Sequence, residues 1–222
     1  MPASALHPRP SMLVLLGLRG SGKSTIGRAA ALSGSPAVPF VDLDDFVAQR
    51  AGVESIAALW ARDGEPSFRR QEAAALREAL APATGTPAIL ALGGGTPTAP
   101  GAIDTLTNAR GAHSLVLVYL HAAPEVLRSR LARTDLSRRP ALLPGAARAG
   151  AAGAGEAGDP LAEIGAVYAA RDPLYRRLAD HVIDADAPPE TVVGRVLSAW
   201  SSGPRALRAP HQGGASGVGE SA

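Results

Sequence analysis

The sequence contains no cysteine, and this absence excludes disulfide bonds, thiolate metal sites and cysteine nucleophiles. A chain without disulfides suits a reducing compartment, so we predict a cytoplasmic protein. Aromatic residues are also scarce, at 4% of the 222 residues against 46% hydrophobic residues in all. This composition is typical of an α/β protein whose core is built from Ala, Leu and Val, and the length favours a single domain.

The sequence lacks the surplus of positive charge that is typical of a nucleic-acid-binding protein. The formal net charge is +2, and 19 basic residues balance 19 acidic residues between Met12 and Trp200. The chain also has no apolar run long enough to span a bilayer, and its first ten residues have no apolar h-region, so we expect no signal peptide. We therefore expect no nucleic-acid partner and no membrane partner.

Lysine is nearly absent as well, because 21 of the 22 basic residues are arginine and the one lysine is Lys23. It lies in the run Gly17-Leu18-Arg19-Gly20-Ser21-Gly22-Lys23-Ser24, which matches the phosphate-binding loop pattern G-x-x-x-x-G-K-[ST] at every fixed position. Glycines let such a loop aim its N–H groups at phosphate oxygens, while the serine hydroxyl ligates Mg²⁺. Because a compact ammonium fits inside the loop and a wide guanidinium does not, the solitary lysine favours a nucleotide site over an unliganded turn.

Hydrophobic runs alternate with helical patterns along the rest of the chain. Buried strands are predicted at residues 12–16, 37–41, 88–92, 114–120 and 181–184. Helices are predicted at residues 25–32, 46–51, 55–61, 100–109, 124–133, 159–170 and 189–199, with a longer helix starting near Pro66. This alternation predicts a parallel sheet with helices on both of its faces.

Low-complexity segments flank and interrupt this domain, which we place at residues 12–200. We predict a disordered leader at residues 1–11, with Met12 as an alternative start, and a disordered tail at residues 201–222. The run from 144 to 158 is rich in Ala and Gly and cannot bury enough apolar surface to order itself, so it predicts a mobile loop.

Polar groups follow the predicted strands at their carboxyl ends, where open α/β sheets bind ligands. Asp42 and Asp44 leave strand 2 two residues apart and would share a face if the strand continued. One carboxylate near Mg²⁺ and one near an acceptor hydroxyl is an arrangement that phosphoryl transfer needs. An Asp-rich turn with a helix cap is the alternative interpretation. Gly93-Gly94-Gly95 follows strand 3 and would let a ligand approach the backbone, although an ordinary loop explains it equally well.

The helix after Pro66 carries a buried acid and its natural partner. Glu72 falls in the middle of the apolar stripe, where an unpaired carboxylate is costly, and Arg69 lies three residues earlier. An arginine held by a glutamate is suited to binding a substrate carboxylate with both of its N–H groups. An ordinary surface pair is the alternative interpretation.

Taken in this order, the motifs resemble those of shikimate kinase, a small P-loop kinase of the nucleoside-monophosphate-kinase type, over residues 12–200. The motifs that carry the resemblance are Gly17–Ser24, Asp42-x-Asp44, Gly64-Glu65-x-x-Phe68-Arg69-x-x-Glu72, Gly93-Gly94-Gly95, Arg139-Pro140 and Arg171-x-Pro173-Leu174-Tyr175. The resemblance implies a three-layer α/β P-loop kinase fold with a parallel sheet in the order 2-3-1-4-5, substrate-binding helices at about residues 44–80 and a mobile lid at about 134–158. It implies an ATP-dependent phosphotransferase that phosphorylates the 3-hydroxyl of shikimate on the way to chorismate and the aromatic amino acids, with Mg²⁺ as cofactor.

The resemblance also assigns roles to single residues. The catalytic groups would be Lys23, Asp44 as base or orienter of the shikimate hydroxyls, and Arg139 as the lid arginine. ATP would contact Gly20, Ser21, Gly22, Lys23, Ser24, Thr25, Arg139 and, near adenine, Arg133. Shikimate would contact Asp44, Gly94 and Gly95, with its carboxylate held by Arg69 and Arg171. Mg²⁺ would be held by Ser24 and Asp42.

The predicted lid departs from the family pattern. The family's Arg-Pro-Leu-Leu is replaced by Arg138-Arg139-Pro140-Ala141-Leu142-Leu143, which leaves open whether Arg138 or Arg139 acts, although the position before proline favours Arg139. Two other functions also stay open: a different small-molecule P-loop kinase, such as one of the gluconate type, and a non-catalytic nucleotide-dependent sensor on the same fold. We expect a monomer.

Overall fold

The structure is a computed structural model that describes residues 10–34, 36–81, 87–111, 115–134, 161 and 163–204. Its strands are β1 (Met12–Leu16), β2 (Phe40–Asp42), β3 (Ala88–Ala91), β4 (Leu115–His121) and β5 (His181–Asp184). They form one five-stranded sheet in the order β2-β3-β1-β4-β5, and every neighbouring pair is parallel. The predicted parallel sheet and its strand order are therefore confirmed.

Helices connect these strands throughout the described residues. They are α1 (Lys23–Leu32), α2 (Leu43–Ala51), α3 (Ile56–Ala79), α4 (Ala102–Gly111), α5 (Pro124–Leu131), α6 (Ile164–Leu178) and α7 (Pro189–Ser202), with a short 3₁₀ turn at Thr96–Thr98. All side chains of Leu13–Leu16 are fully buried, as is nearly every side chain of β4. Because successive side chains of a strand point to opposite faces, the centre of the sheet is covered on both faces.

Two predicted boundaries on the acceptor side were displaced. Strand β2 covers residues 40–42 instead of 37–41, and Pro39, which has no N–H to give to a ladder, directly precedes it. The break predicted before Pro66 appears as a kink inside α3 at Gly64, whose φ of 76° is left-handed and suits glycine. The strand therefore ends at Asp42, and Asp44 lies in the first turn of α2 instead of on the strand face.

The helix predicted at residues 159–170 runs further than expected. Residues 159, 160 and 162 lie outside the described residues, and α6 spans Ile164–Leu178. It continues through Pro173, which lacks the N–H that an internal helix position uses and costs about 3 kcal/mol. Burial of Tyr175 and Leu178 in the core beyond the proline offsets this cost. Consequently, Arg171 lies inside a helix and not at its end.

The predicted ends and lid are for the most part outside the described residues. This applies to residues 1–9 of the leader, to 205–222 of the tail, and to 135–158 of the lid together with Arg138 and Arg139. The start of the described chain is anchored, because the Trp200 indole N–H donates to the Pro10 carbonyl at 3.0 Å. Among the described residues, no helix combines the length and apolarity needed to cross a bilayer.

Candidate active site

The phosphate loop joins β1 to α1 at the carboxyl edge of the sheet. Gly20 and Gly22 have φ values of 85° and 93°, a left-handed conformation that glycine adopts without strain. Gly22 caps α1, whose first turn contains no acidic residue. The loop therefore presents N–H groups and the positive end of a helix dipole to the same point, which is a site for an anion.

Lys23 and Ser24 open α1 and face the loop and β2, respectively. The Lys23 ammonium is 8% exposed and donates to the Gly17 and Leu18 carbonyls at 2.8 and 3.0 Å. The Ser24 hydroxyl donates to one oxygen of Asp42. The other Asp42 oxygen accepts from the Asp44 N–H at 3.0 Å and caps α2. The sequence left open whether this carboxylate caps a helix or belongs to the Mg²⁺ site. The two interpretations are compatible, because the same carboxylate caps α2 and contacts the serine of the phosphate loop.

A pocket of about 400 Å³ lies along the loop. It is lined by Arg19, Gly20, Ser21, Gly22, Lys23, Ser24, Thr25, Ile26, Arg130, Leu131, Thr134, Ala185, Ala187, Pro189 and Val192. Arg130 donates to the Ala185 carbonyl at 2.7 Å and so ties the α5 wall to the segment after β5. Arg133 is exposed just beyond α5 and is not among the residues that line the pocket in the described chain. Its contact with adenine stays a prediction, and Arg130 is a pocket residue that sequence reasoning missed.

The glycine turn after β3 brings together groups from α2 and α3. A side chain at Gly93 would collide with the Asp44 carboxylate and would lie 3.1 Å from Glu72 Oε1. Glu72 is 1% exposed, and its two oxygens accept from Arg69 Nη1 at 2.8 Å and from Thr96 Oγ1 at 2.7 Å. The predicted Arg69–Glu72 pair is present, and the buried acid is doubly satisfied. Thr96, which is fully buried, carried no signal in the sequence.

Two arginines flank Gly94 and Gly95, the other two glycines of this turn. A side chain at Gly95 would come within 2.9 Å of Arg69 Nη1, and Arg171 Nη1 donates to the Gly94 carbonyl at 3.1 Å. Burial lowers the pKa of Arg171, and the nearby charge of Arg69 lowers it further. Two guanidinium groups that repel each other in a partly buried site attract an anion between them.

The donor and acceptor sides meet at Gly94. A side chain there would lie 3.0 Å from the backbone nitrogen of Arg19, which belongs to the phosphate loop. Asp44, Arg69 and Arg171 therefore surround the turn that contains Gly94 and Gly95, and this turn touches the phosphate loop. This geometry can hold a nucleotide phosphate on one side and a small anionic molecule on the other.

A phosphate loop in a parallel sheet of this strand order, with an anion-binding acceptor site beside it, defines a small P-loop kinase. A sequence profile described as "Shikimate kinase" matches residues 19–201. The shikimate kinase of Oleidesulfovibrio alaskensis is 38% identical over 186 residues, which cover 83% of this chain and 94% of that protein. The chain belongs to the shikimate kinase family.

Further relatives agree with this assignment. The shikimate kinase of Mycobacterium tuberculosis is 39% identical over 186 residues, covering 83% of this chain and 90% of that protein. A solved structure of shikimate kinase from Acinetobacter baumannii in complex with shikimate superposes with a TM-score of 0.68 at 25% identity, covering 85% of this chain and 92% of that chain. The predicted P-loop kinase fold and the predicted ATP-dependent phosphotransferase are confirmed.

Gly93 offers a test of the geometry around Asp44. We expect Gly93→Ala to lower kcat by about a hundredfold, because the new methyl group displaces the Asp44 carboxylate, which the resemblance assigns to the acceptor hydroxyls, and a misplacement of about 1 Å at such a position has an effect of this size. Steady-state kinetics of the purified variant provide the measurement. Gly194→Ala in α7 is the matched control, since a methyl group there has nothing within 4 Å. A Gly93→Ala enzyme as active as this control would contradict the geometry.

Proposed function

We propose that the chain transfers the γ-phosphoryl group of ATP to the 3-hydroxyl of shikimate. The observation that supports this most strongly is the position of Asp44, Arg69 and Arg171 around a glycine turn that touches the phosphate loop. Shikimate has a carboxylate at one end and hydroxyl groups at the other. The arrangement offers guanidinium groups to the first and a carboxylate to the second.

The acceptor is held by its charge in this proposal. Arg69 is fixed by Glu72 and by Glu65, whose Oε1 lies 3.6 Å from Arg69 Nε. Its guanidinium also stacks on the Trp60 and Phe68 rings, at 5.7 and 5.1 Å from their centroids. A preorganised guanidinium loses little freedom on binding and can bind a carboxylate through two parallel N–H donors.

The phosphoryl group is stabilised by positioning and charge. The N–H groups at the start of α1 and the Lys23 ammonium face the β- and γ-phosphates, where negative charge spreads over the equatorial oxygens during transfer. Asp44 accepts the proton of the attacking hydroxyl or orients that hydroxyl toward phosphorus. Arg139 in the lid, which lies outside the described residues, would add a further positive charge and exclude water.

The residues at the loop fit a magnesium ion. The Ser24 hydroxyl and an Asp42 carboxylate oxygen are in direct contact, and both are hard oxygen donors. Mg²⁺ in kinase sites is usually bound by one or two protein ligands together with substrate phosphates, and these two residues provide that number. Ser24 and Asp42 would hold Mg²⁺, which neutralises phosphate charge when bound.

The proposal also includes a cytoplasmic location, which rests on the lack of cysteine, and a monomeric state. The two rival functions differ from the main proposal in the acceptor or in the absence of turnover. A gluconate-type kinase would use a different acid as acceptor, and a nucleotide-dependent sensor would bind ligands without turnover. Against the sensor, Lys23, Ser24 and Asp44 have the residue types that phosphoryl transfer uses, and they are intact in this sequence.

ADP release in the presence of single acceptors tests the function. We expect purified protein with Mg²⁺ and ATP to release ADP when shikimate is added, and not when gluconate or a nucleoside monophosphate replaces it. ADP release that gluconate stimulates and shikimate does not would overturn the proposal. The same result with a nucleoside monophosphate would overturn it equally.

Arg69→Ala separates acceptor binding from nucleotide binding. We expect the Kd for shikimate to rise by about a hundredfold while the Kd for ATP stays unchanged, because a hydrogen bond to a charged group contributes about 1.5–3 kcal/mol. Isothermal titration of each ligand measures both constants. Arg70→Ala is the control, since Arg70 is the exposed neighbour on the same helix. If Arg69→Ala weakened the binding of shikimate and of ATP equally, the cause would be a folding defect. That result would contradict the assignment of Arg69 to the shikimate carboxylate.

A further inference from the structure

The hydroxyl group of Tyr175 has no part in the function proposed above, yet it contacts the centre of the acceptor site. Tyr175 is fully buried in α6, and its hydroxyl donates to the Gly94 carbonyl at 2.7 Å. Arg171, one helical turn earlier, donates to the same carbonyl. We propose that Tyr175 is a positioning residue that holds Gly94 and Arg171 in the geometry that binds the acceptor carboxylate, an inference that rests on the proposed function.

The shared carbonyl explains how a hydroxyl group can act on an arginine. A backbone carbonyl oxygen has two lone pairs, and here the Tyr175 hydroxyl and the Arg171 guanidinium each use one. Without the hydroxyl, the Gly94 carbonyl loses one of these two donors and keeps Arg171. Because a buried oxygen with an unused lone pair is costly, the carbonyl then draws the Arg171 guanidinium closer. The N–H groups of Arg171 would then face the turn more and an incoming carboxylate less.

Tyr175 can perform this task because its own position is fixed by the sheet. Its ring lies edge-on against the Tyr119 ring of β4, with centroids 5.6 Å apart and an interplanar angle of 89°. The Tyr119 hydroxyl donates to Asp172 Oδ1 at 2.9 Å, and Arg176 donates to the other oxygen of Asp172 at 2.8 Å. Because Tyr119 belongs to β4 and Asp172 to α6, the first of these bonds holds the helix on β4 and sets the height at which Tyr175 meets Gly94, while the second lies within α6 and fixes the Asp172 carboxylate.

The turn that Tyr175 holds lies against three parts of the site. Gly93 packs against Asp44, Gly94 against the backbone of Arg19, and Gly95 against Arg69. A displacement of Gly94 therefore changes the spacing of both acceptor arginines. On the nucleotide side Gly94 approaches the Arg19 backbone, whereas Lys23 donates to Gly17 and Leu18 and Arg130 donates to Ala185. We therefore expect a loss of the Tyr175 hydroxyl to change the KM for shikimate more than the KM for ATP.

Tyr175→Phe is the test, because it removes one hydroxyl group and keeps the ring. We expect the KM for shikimate to rise about five- to tenfold, the size expected for one hydrogen bond, with kcat reduced by less than about threefold and the KM for ATP within about twofold. Tyr168→Phe is the matched control on the same helix. Its hydroxyl pairs with His121 Nε2 at 2.9 Å, whereas that of Tyr175 pairs with the Gly94 carbonyl, so we expect both KM values to be unchanged.

A direct binding measurement and a melting curve accompany the kinetics. Trp60 lies beside Arg69, so its fluorescence reports on shikimate binding without turnover, and the Kd is expected to rise as the KM does. A Tyr175→Phe variant that folds and binds both shikimate and ATP as the wild type does would overturn the inference. So would an unfolded variant, or one in which the ATP and shikimate constants rise together, because either result assigns the hydroxyl a structural role. Wild-type protein that does not bind shikimate would instead contradict the proposed function and, with it, this inference.

Discussion

Replacement of Lys23 by alanine is expected to lower kcat by about a thousandfold while the fold is retained. The ammonium is buried in the phosphate loop, and the lysine of this loop pattern is expected to meet the β- and γ-phosphates. Removal of a preorganised charged or polar donor from such a site costs about two to three orders of magnitude in turnover. Steady-state ADP release with saturating shikimate and ATP measures the loss, and circular dichroism establishes that the protein is folded.

A charge-preserving variant makes this prediction sharper. We expect Lys23→Arg to be nearly as inactive as Lys23→Ala, because the ammonium lies between the Gly17 and Leu18 carbonyls in a space that a planar guanidinium does not fit. Arg28→Ala is the control, since Arg28 is exposed on the same helix and stacks on Phe40. Substantial activity in Lys23→Arg would show that only charge is needed at this position and would contradict the steric argument.

Replacement of Asp44 by asparagine is the second change with a large expected effect. We expect kcat to fall by about two to four orders of magnitude, the contribution of a positioned general base, because asparagine has nearly the same shape but cannot accept a proton. The carboxylate lies beside Gly93 at the acceptor end of the site. The measurement is kcat together with the Kd for shikimate, which is expected to change much less than turnover does.

The chain provides a matched control for this variant in the next residue. Asp45 is exposed in the first turn of the same helix, and Asp45→Asn removes the same charge from it. We expect Asp45→Asn to retain wild-type kcat. If both variants lost activity to the same degree, the cause would be the charge of the helix terminus and not a proton acceptor at position 44.

The donor half of the site could be predicted from the sequence because it is contiguous. Glycines, lysine and serine within one run of eight residues determine both the loop conformation and its chemistry. The pair formed by Arg69 and Glu72 could also be predicted, since a helix places residues three apart on the same side and a buried acid requires a partner. These features depend on local geometry alone.

The acceptor half could be assembled only through the resemblance, because its groups come from separate segments. The hydrogen bond from Tyr175 to Gly94 joins residues 81 positions apart, and no periodicity in the chain indicates it. Likewise, the crowding at Gly93 and the second partner of Glu72, Thr96, depend on how α3 packs on the turn. The end of α6 was also missed, because tertiary burial of Tyr175 outweighs the local effect of Pro173.

Transfer of a labelled γ-phosphoryl group from ATP tests the central claim most directly. Purified protein is incubated with Mg²⁺, γ-labelled ATP and shikimate, and the label is followed into products whose structure is assigned by NMR. We predict that the label appears on the 3-hydroxyl of shikimate in proportion to the ADP formed, and that Lys23→Ala and Asp44→Asn slow this transfer by the factors given above. Label that appears only as inorganic phosphate, or that remains in ATP despite binding of both ligands, would contradict it.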